Sequence, residues 1–324
     1  MPEPILLEVR NLKKHFKTDK GMLMAVDDVS LSIERGKTLG VVGESGCGKS
    51  TLGRCILRLI EPSAGEILFN GLDISKLSKH ELRQRRQDMQ IIFQDPFSSL
   101  DPRQTVGQTI KEAVLMRREK YPSRTDVENR VRELMDTVGL ADRLYNCYPH
   151  ELDGGRRQRI GVARALAVEP SLIICDEPVS ALDVSIQAQI LNLLQQLQSA
   201  LGLTYIFITH DLAVVNHLAD NILVMYLGKV VEYAPSEELF KNPLHPYTQA
   251  LLSAVPVPKV GRKKERIIMR GEVYSPIDPP DACRIAQRCN LAHDLCRQAC
   301  PALLEVSPQH YVACHHVSGG CGAS

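Results

Sequence analysis

Apolar residues along this chain follow two rhythms, and the change between them marks its organisation. Leu6 to Val9 and Leu31 to Ile33 alternate apolar and polar positions beside the turn formers Asp19-Lys20-Gly21 and Glu34-Arg35-Gly36, which predicts an antiparallel strand layer. Thr38 to Val42 is a continuous apolar run expected to be a buried strand, and Leu52 to Leu59 favours helix. Glu66 to Phe69, closed by Asn70-Gly71, reads as another strand, and Met89 to Phe93 as a buried one ending at Gln94. From about Val106 to Val162 the period becomes helical, with Val127, Val131, Leu134, Met135 and Val138 in phase and Gly139 as a stop, which predicts a helical insertion. Arg156 to Ala167 then reads as a basic helix, Leu172 to Cys175 as a strand, Ile186 to Leu201 as a helix and Thr204 to Thr209 as a strand. Strands alternating with helices predict an α/β domain whose ligand lies beyond the carboxyl ends of the strands.

The first buried strand leads into Gly43-Glu44-Ser45-Gly46-Cys47-Gly48-Lys49-Ser50-Thr51, which satisfies every fixed position of the phosphate-binding pattern G-x-x-x-x-G-K-[ST]. Glycines let backbone N–H groups turn inward around phosphates, Lys49 reaches the β/γ-phosphates, Ser50 offers its hydroxyl to Mg²⁺, and the following helix points its positive end at the anion. Asp176-Glu177-Pro178 closes a later strand. Two carboxylates downstream of a phosphate loop match the metal-and-base pattern of P-loop NTPases, with Asp176 holding Mg²⁺ through water and Glu177 beside the attacking water. Phe16 is either an adenine-stacking aromatic or an ordinary core or edge residue. His210 follows the strand ending at Thr209, where a polar group can reach a ligand.

Composition narrows the partners. The chain has 324 residues, 39 basic against 38 acidic, so its bulk charge advertises neither nucleic acid nor a lipid surface. No segment approaches the roughly 18 apolar residues of a spanning helix, and Met1-Pro2-Glu3-Pro4 lacks signal-peptide character, which predicts a cytosolic location. Ten cysteines in such a compartment should be thiols or metal ligands. Cys47, Cys55, Cys147 and Cys175 are scattered, whereas six crowd the stretch from Cys283 to Cys321. Beyond the basic linker Arg262-Lys263-Lys264-Glu265-Arg266 come Cys283, Cys289, Cys296 and Cys300, then Cys314 ahead of His315 and His316. Such spacing suits zinc or an iron–sulfur cluster without choosing between them, and free structural cysteines are a third reading.

Taken together, the motifs resemble the ATP-binding cassette (ABC) ATPases over roughly residues 5–255. Phe16 matches the adenine-stacking aromatic, Gly43 to Thr51 the phosphate loop, and Gln94 the glutamine that touches Mg²⁺ and couples to the membrane subunit. Leu152-Asp153-Gly154-Gly155-Arg156 stands at the family signature, Ile173 to Glu177 is the second acidic motif, Ser180-Ala181-Leu182-Asp183 the dimer-contact loop and His210 the switch histidine. By this resemblance Glu177 is the general base, His210 contacts the γ-phosphate, and Ser50, Gln94 and Asp176 serve Mg²⁺. The implied fold is a P-loop NTPase core of the ABC type with an N-terminal antiparallel β layer, a helical subdomain at about 106–162 and a small C-terminal cysteine-rich extension. The implied domains are residues 1–255 and 256–324.

In the C-terminal third, His245 to Leu252, Gly271-Glu272-Val273, Pro276 to Pro280 and the cysteine-rich end look like the ATPase subunits of bacterial oligopeptide and dipeptide importers. Nickel- and sugar-importing branches are related, and cassettes serving nucleic-acid repair or translation are the alternative outside transport. Those usually carry two cassettes or a long coiled coil, whereas this chain has one phosphate loop and no sustained heptads. The resemblance implies ATP as substrate, a [4Fe–4S] cluster on Cys283, Cys289, Cys296 and Cys314 with Cys300 as competitor, and a head-to-tail pair with a second ABC ATPase. It further implies two membrane permease subunits, an extracytoplasmic peptide-binding protein, no nucleic acid, and a location on the cytoplasmic face of the membrane. One departure stands out: the usual Leu-Ser-Gly-Gly-Gln signature has Asp153 for serine and Arg156 for glutamine. Asp153 is expected to cap the helix after it, and its charge near a phosphate points to a paralogous partner with two unequal sites.

Overall fold

The computed structural model describes residues 4–95, 97, 99–255, 266–271 and 274–318. Cys321, Glu272, Val273 and linker residues 262–265 lie outside the described residues, as does the stretch following the boundary expected after residue 255. The chain divides into two compact units, one of residues 35–37 and 76–206, the other of residues 4–34, 38–75 and 207 onward.

The second unit opens with a long antiparallel hairpin, β1 (Ile5–Thr18) and β2 (Gly21–Glu34), turning at Asp19-Lys20. Both strands run well past the short segments their alternation predicted. Asn11 and Asp28 sit at positive φ where the β1–β2 register shifts, and the Asn11 side-chain amide donates to Asp28 at 3.0 Å. Bulges of this kind absorb polar residues that interrupt the period-two pattern without ending the strand. β3 (Thr38–Val42) is wholly buried, as its apolar run requires. Helix α1 (Lys49–Ile56) begins earlier than expected, at Gly48 as its cap, and stops before Arg58 at φ 50°. β4 (Ala64–Phe69) and β5 (Leu72–Asp73) complete an antiparallel sheet of order β2-β1-β4-β5.

The other unit carries α2 (Lys79–Arg85), β6 (Met89–Ile92), α3 (Val106–Val114), α4 (Arg124–Thr137), α5 (Gly154–Leu166), β7 (Leu172–Asp176) and α6 (Val184–Leu201). Ser78, Thr105 and Ser123 close capping boxes on α2, α3 and α4, which explains why these helices start where they do. Val127, Val131, Leu134 and Met135 form the buried face of α4, as the helical spacing predicted. β6 and β7 pair in parallel. β8 (Thr204–Thr209), entirely buried, carries the chain across the division between the units.

Back in the unit of the β1–β2 hairpin follow α7 (Leu212–Leu218), β9 (Asn221–Tyr226), β10 (Lys229–Pro235), α8 (Ser236–Lys241) and α9 (Pro246–Ala254). Leu227 and Gly228, both at positive φ, make the tight β9–β10 turn. Residues 274–318 belong to this unit too. They contain α10 (Asp294–Gln298), the strands β11 (Leu304–Ser307) and β12 (His310–Val312), and α11 (His315–Ser318). β12 pairs with β10, giving the order β11-β12-β10-β9-β3, and Leu23 of β2 bridges Ile277. A buried pair locks this junction: His310 Nε2 donates to Glu232 at 2.7 Å, and the same carboxylate accepts the Leu244 and His245 N–H groups.

Candidate nucleotide site and the C-terminal cysteines

The phosphate loop joins β3 to α1 and closes through contacts that only glycine permits. A Cβ on Gly48, at φ 105°, would stand 2.0 Å from the Ala25 carbonyl, and one on Gly43 would stand 2.2 Å from that of Met225. Lys49 is 4% exposed, and its ammonium donates to the Gly43 and Glu44 carbonyls at 2.8 and 2.9 Å, which holds it over the loop. The Gly228 N–H donates to the Cys47 carbonyl at 2.8 Å. Ser50 and Thr51 lie in the first turn of α1, and Ser45 and Gly46 lie in the turn before it. Phe16 is a half-buried residue of β1 rather than of a loop, with the Lys14 ammonium 4.7 Å from its ring centroid, so one face already carries a cation. His210 is exposed at the end of β8, just before α7, whose cap is the Asp211 carboxylate.

In the unit of β6 and β7, strand register brings two expected residues together. Ile92 pairs with Cys175, and two residues on from each the Gln94 amide donates to the Glu177 carboxylate at 3.1 Å. Asp176 is buried at the end of β7, whereas Glu177 is partly open and holds φ 48°. A left-handed conformation at a non-glycine residue costs of order 1–3 kcal/mol and accumulates where orientation matters. Hydroxyl, amide and carboxylate oxygens are the donor set of Mg²⁺, so the chemistry of Ser50, Gln94 and Asp176 fits that ion.

The signature segment starts α5. Asp153 is its cap, accepting the Arg156 N–H at 2.8 Å while its other oxygen pairs with the Arg156 guanidinium at 3.1 Å. The helix thus begins two residues before the expected Arg156, because the cap precedes Gly154. Cβ atoms on Gly154 and Gly155 would come within 2.8 Å of Leu182 and 2.6 Å of Ile186, so the signature glycines pack directly on the segment around Asp183. Asp183 precedes α6 and is exposed, without a side-chain cap.

Cys283, Cys289, Cys296 and Cys314 line one small cavity with His245, His315 and His316. Burial pushes the Cys283 thiol up to about 12 and raises Cys289 and Cys314 as well. Backbone N–H groups already reach two of the sulfurs: Leu291 donates to Cys289, and Val317 and His316 to Cys314. Cys300 lies apart from this cavity, in the electrostatic neighbourhood of Lys229 and Arg284. Among the described residues, no three His, Cys, Asp or Glu side chains group closely enough to hold a single metal ion. By its chemistry, a set of four thiols around one cavity suits zinc as well as an iron–sulfur cluster.

Sequence reasoning missed how residues 284 and 288 connect to the phosphate loop. Arg288, 8% exposed, grips the Glu44 carboxylate with two hydrogen bonds of 2.7 and 3.1 Å, and Arg284 pairs with Asp27 at 2.6 Å. No local signal could have revealed partners separated by 244 and 257 positions.

The family described as "ABC transporter" matches residues 26–180, and "Oligopeptide/dipeptide transporter, C-terminal region" matches residues 231–296. The "Oligopeptide transport ATP-binding protein AppF" of Bacillus subtilis is 51% identical over 96% of this chain and 97% of its own length. The "Oligopeptide transport ATP-binding protein OppF" of Salmonella typhimurium is 51% identical over 96% of both chains. Among solved structures, cbiO1 from Clostridium perfringens superposes with a TM-score of 0.66 at 30% identity, covering 74% of this chain and 92% of that one. The ATP-binding cassette MJ0796, dimeric and bound to ADP and Pi, also gives 0.66 at 29% identity, covering 71% and 98%. The chain belongs to the ABC transporter ATPases, among the oligopeptide/dipeptide transporter ATP-binding proteins whose C-terminal region it carries.

Proposed function

We propose that this chain hydrolyses ATP to drive peptide import through partner membrane permeases fed by an extracytoplasmic peptide-binding protein. The observation that carries this reading is the match to oligopeptide transport ATP-binding proteins over 96% of the chain, C-terminal region included. No helix among the described residues is long and apolar enough to cross a membrane, which agrees with a subunit that docks on the cytoplasmic face of its permeases. In this reading Lys49 and the loop amides from Gly43 to Thr51 bind the ATP phosphates, and Phe16 lies against the base. Ser50, Gln94 and Asp176 hold Mg²⁺, which screens phosphate charge. Glu177 takes the proton of the attacking water, with the Gln94 amide orienting its carboxylate, and His210 contacts the γ-phosphate. The domains are an ATPase over residues 1–255, with its helical subdomain at about 106–162, and an extension over 256–324.

Two chains pair head to tail, so that Asp153, Gly154, Gly155, Arg156 and Asp183 meet ATP held by the partner; the dimeric ADP-bound cassette among the structural relatives supports such pairing. Because Asp153 brings a carboxylate where the family has serine, the partner is a paralogue and the two sites are unequal. Cys283, Cys289, Cys296 and Cys314 hold a [4Fe–4S] cluster, which supplies cross-linking to a segment with little core of its own.

The test is reconstitution in liposomes with the permeases and binding protein. ATP hydrolysis should rise on addition of peptide-loaded binding protein; stimulation by nickel or sugar instead, or by neither, overturns the peptide reading.

A further inference from the structure

The phosphate loop carries an acidic residue, Glu44, immediately after its first glycine. An uncompensated carboxylate there would oppose the triphosphate that the loop is built to receive. Its compensation comes from the far end of the chain. The Arg288 guanidinium makes the two hydrogen bonds to Glu44, donates to the Tyr226 hydroxyl at 3.3 Å, and lies 5.8 Å from the centroid of that ring. Tyr247, edge-on to Tyr226 with centroids 4.8 Å apart, accepts the Glu44 N–H on its hydroxyl at 2.8 Å. The Glu44 carbonyl is one of the two that hold the Lys49 ammonium. Side chain, N–H and carbonyl of this one residue are therefore all engaged, and the only cation on its carboxylate among the described residues is Arg288.

Arg284 repeats the arrangement one step away. It pairs with Asp27, which Lys229 also approaches at 3.3 Å, and donates to the Leu227 carbonyl at 3.0 Å, and the adjoining Gly228 N–H bonds the Cys47 carbonyl. Residues 283–289 form successive turns, with Ala286, Arg288 and Cys289 N–H groups bonded to the Cys283 and Ile285 carbonyls, so both arginines are presented from one short hydrogen-bonded segment. The Arg288–Glu44 pair is bidentate and part-buried, and the Arg284–Asp27 pair is buried; the first kind is geometrically specific and the second costly to leave half-made.

We propose that this C-terminal segment braces the ATP site, and that Arg288 is a positioning residue which neutralises Glu44 and holds the phosphate loop in its ATP-accepting shape. The inference rests on the reading of Gly43 to Thr51 as the ATP site. ATP affinity then depends on the C-terminal segment, although that segment touches no substrate. Its test uses the full-length purified protein and a fluorescent ATP analogue, with KM and kcat measured in the permease complex. Arg288→Ala should weaken nucleotide binding and raise KM about tenfold, with kcat within about twofold of wild type. Adding Glu44→Gln to Arg288→Ala should restore most of the affinity, because the carboxylate that needed compensation is gone. Should Arg288→Ala fail to fold, Arg288→Gln removes the charge while keeping length, and the same rescue is read. Unchanged affinity in the arginine variant, or loss without rescue by Glu44→Gln, overturns the proposal. Retained binding in Lys49→Ala would instead overturn the phosphate-loop reading itself.

Discussion

The Gln94 amide donates to the Glu177 carboxylate across 3.1 Å, while the Glu177 backbone is held at φ 48°. Parallel pairing of the strands before them fixes both positions, so the carboxylate is aimed by strand register and not by local sequence alone.

Glu177→Gln preserves size and the hydrogen bond to Gln94 but removes the base. It should keep ATP binding and slow turnover at this chain's own phosphate loop by about 10²-fold or more. Lys49→Ala should lose binding instead. A Glu177→Gln complex that turns over at the wild-type rate at this site would refute the base assignment.

Protein purified without oxygen should contain iron and labile sulfide near about four of each per chain. Cys289→Ser should lose both and lower the melting temperature. Cys300→Ser should leave them intact, because Cys300 stands outside the cavity lined by the other four. Zinc in place of iron would sink the cluster assignment.

Asp153 is both a helix cap and half of an ion pair with Arg156. A bare carboxylate about 4 Å from a phosphate charge meets roughly 4 kcal/mol of repulsion at an effective dielectric of about 20. Arg156→Gln alone should therefore slow single-turnover hydrolysis of ATP on the partner's loop further, and Asp153→Ser with Arg156→Gln should speed it. Equal rates at the two sites in the wild-type pair would rule out the asymmetry.

Glu232→Ala would leave His310 and the Leu244 and His245 N–H groups without their shared acceptor in a fully buried place. Denaturant unfolding should register a loss of about 3–5 kcal/mol. A loss under about 1 kcal/mol would mean that water or rearrangement satisfies these donors.

The chemistry-bearing residues were legible in the sequence because the backbone itself demands them. Gly43 and Gly48 are sterically required by the Met225 and Ala25 carbonyls, the run from Leu172 to Cys175 is apolar because β7 is buried, and Asp153 caps α5 by local geometry. Strand lengths in β1 and β2 were not, since bulges at Asn11 and Asp28 hide their continuity. Neither β9, β10 nor β12 was anticipated: β9 and β10 form a local hairpin that the sequence reading passed over, and β12 joins β10 from far along the chain. By itself the sequence determined the phosphate loop, the acidic strand end, the capped signature helix and the cysteine supply, all set by short-range sterics and spacing. Only the tertiary structure decided that Gln94 faces Glu177, that Cys300 is excluded from the cysteine cavity, and that Arg288 neutralises Glu44. Those outcomes depend on which strands pair and on which charges burial forces together, and no local pattern encodes either.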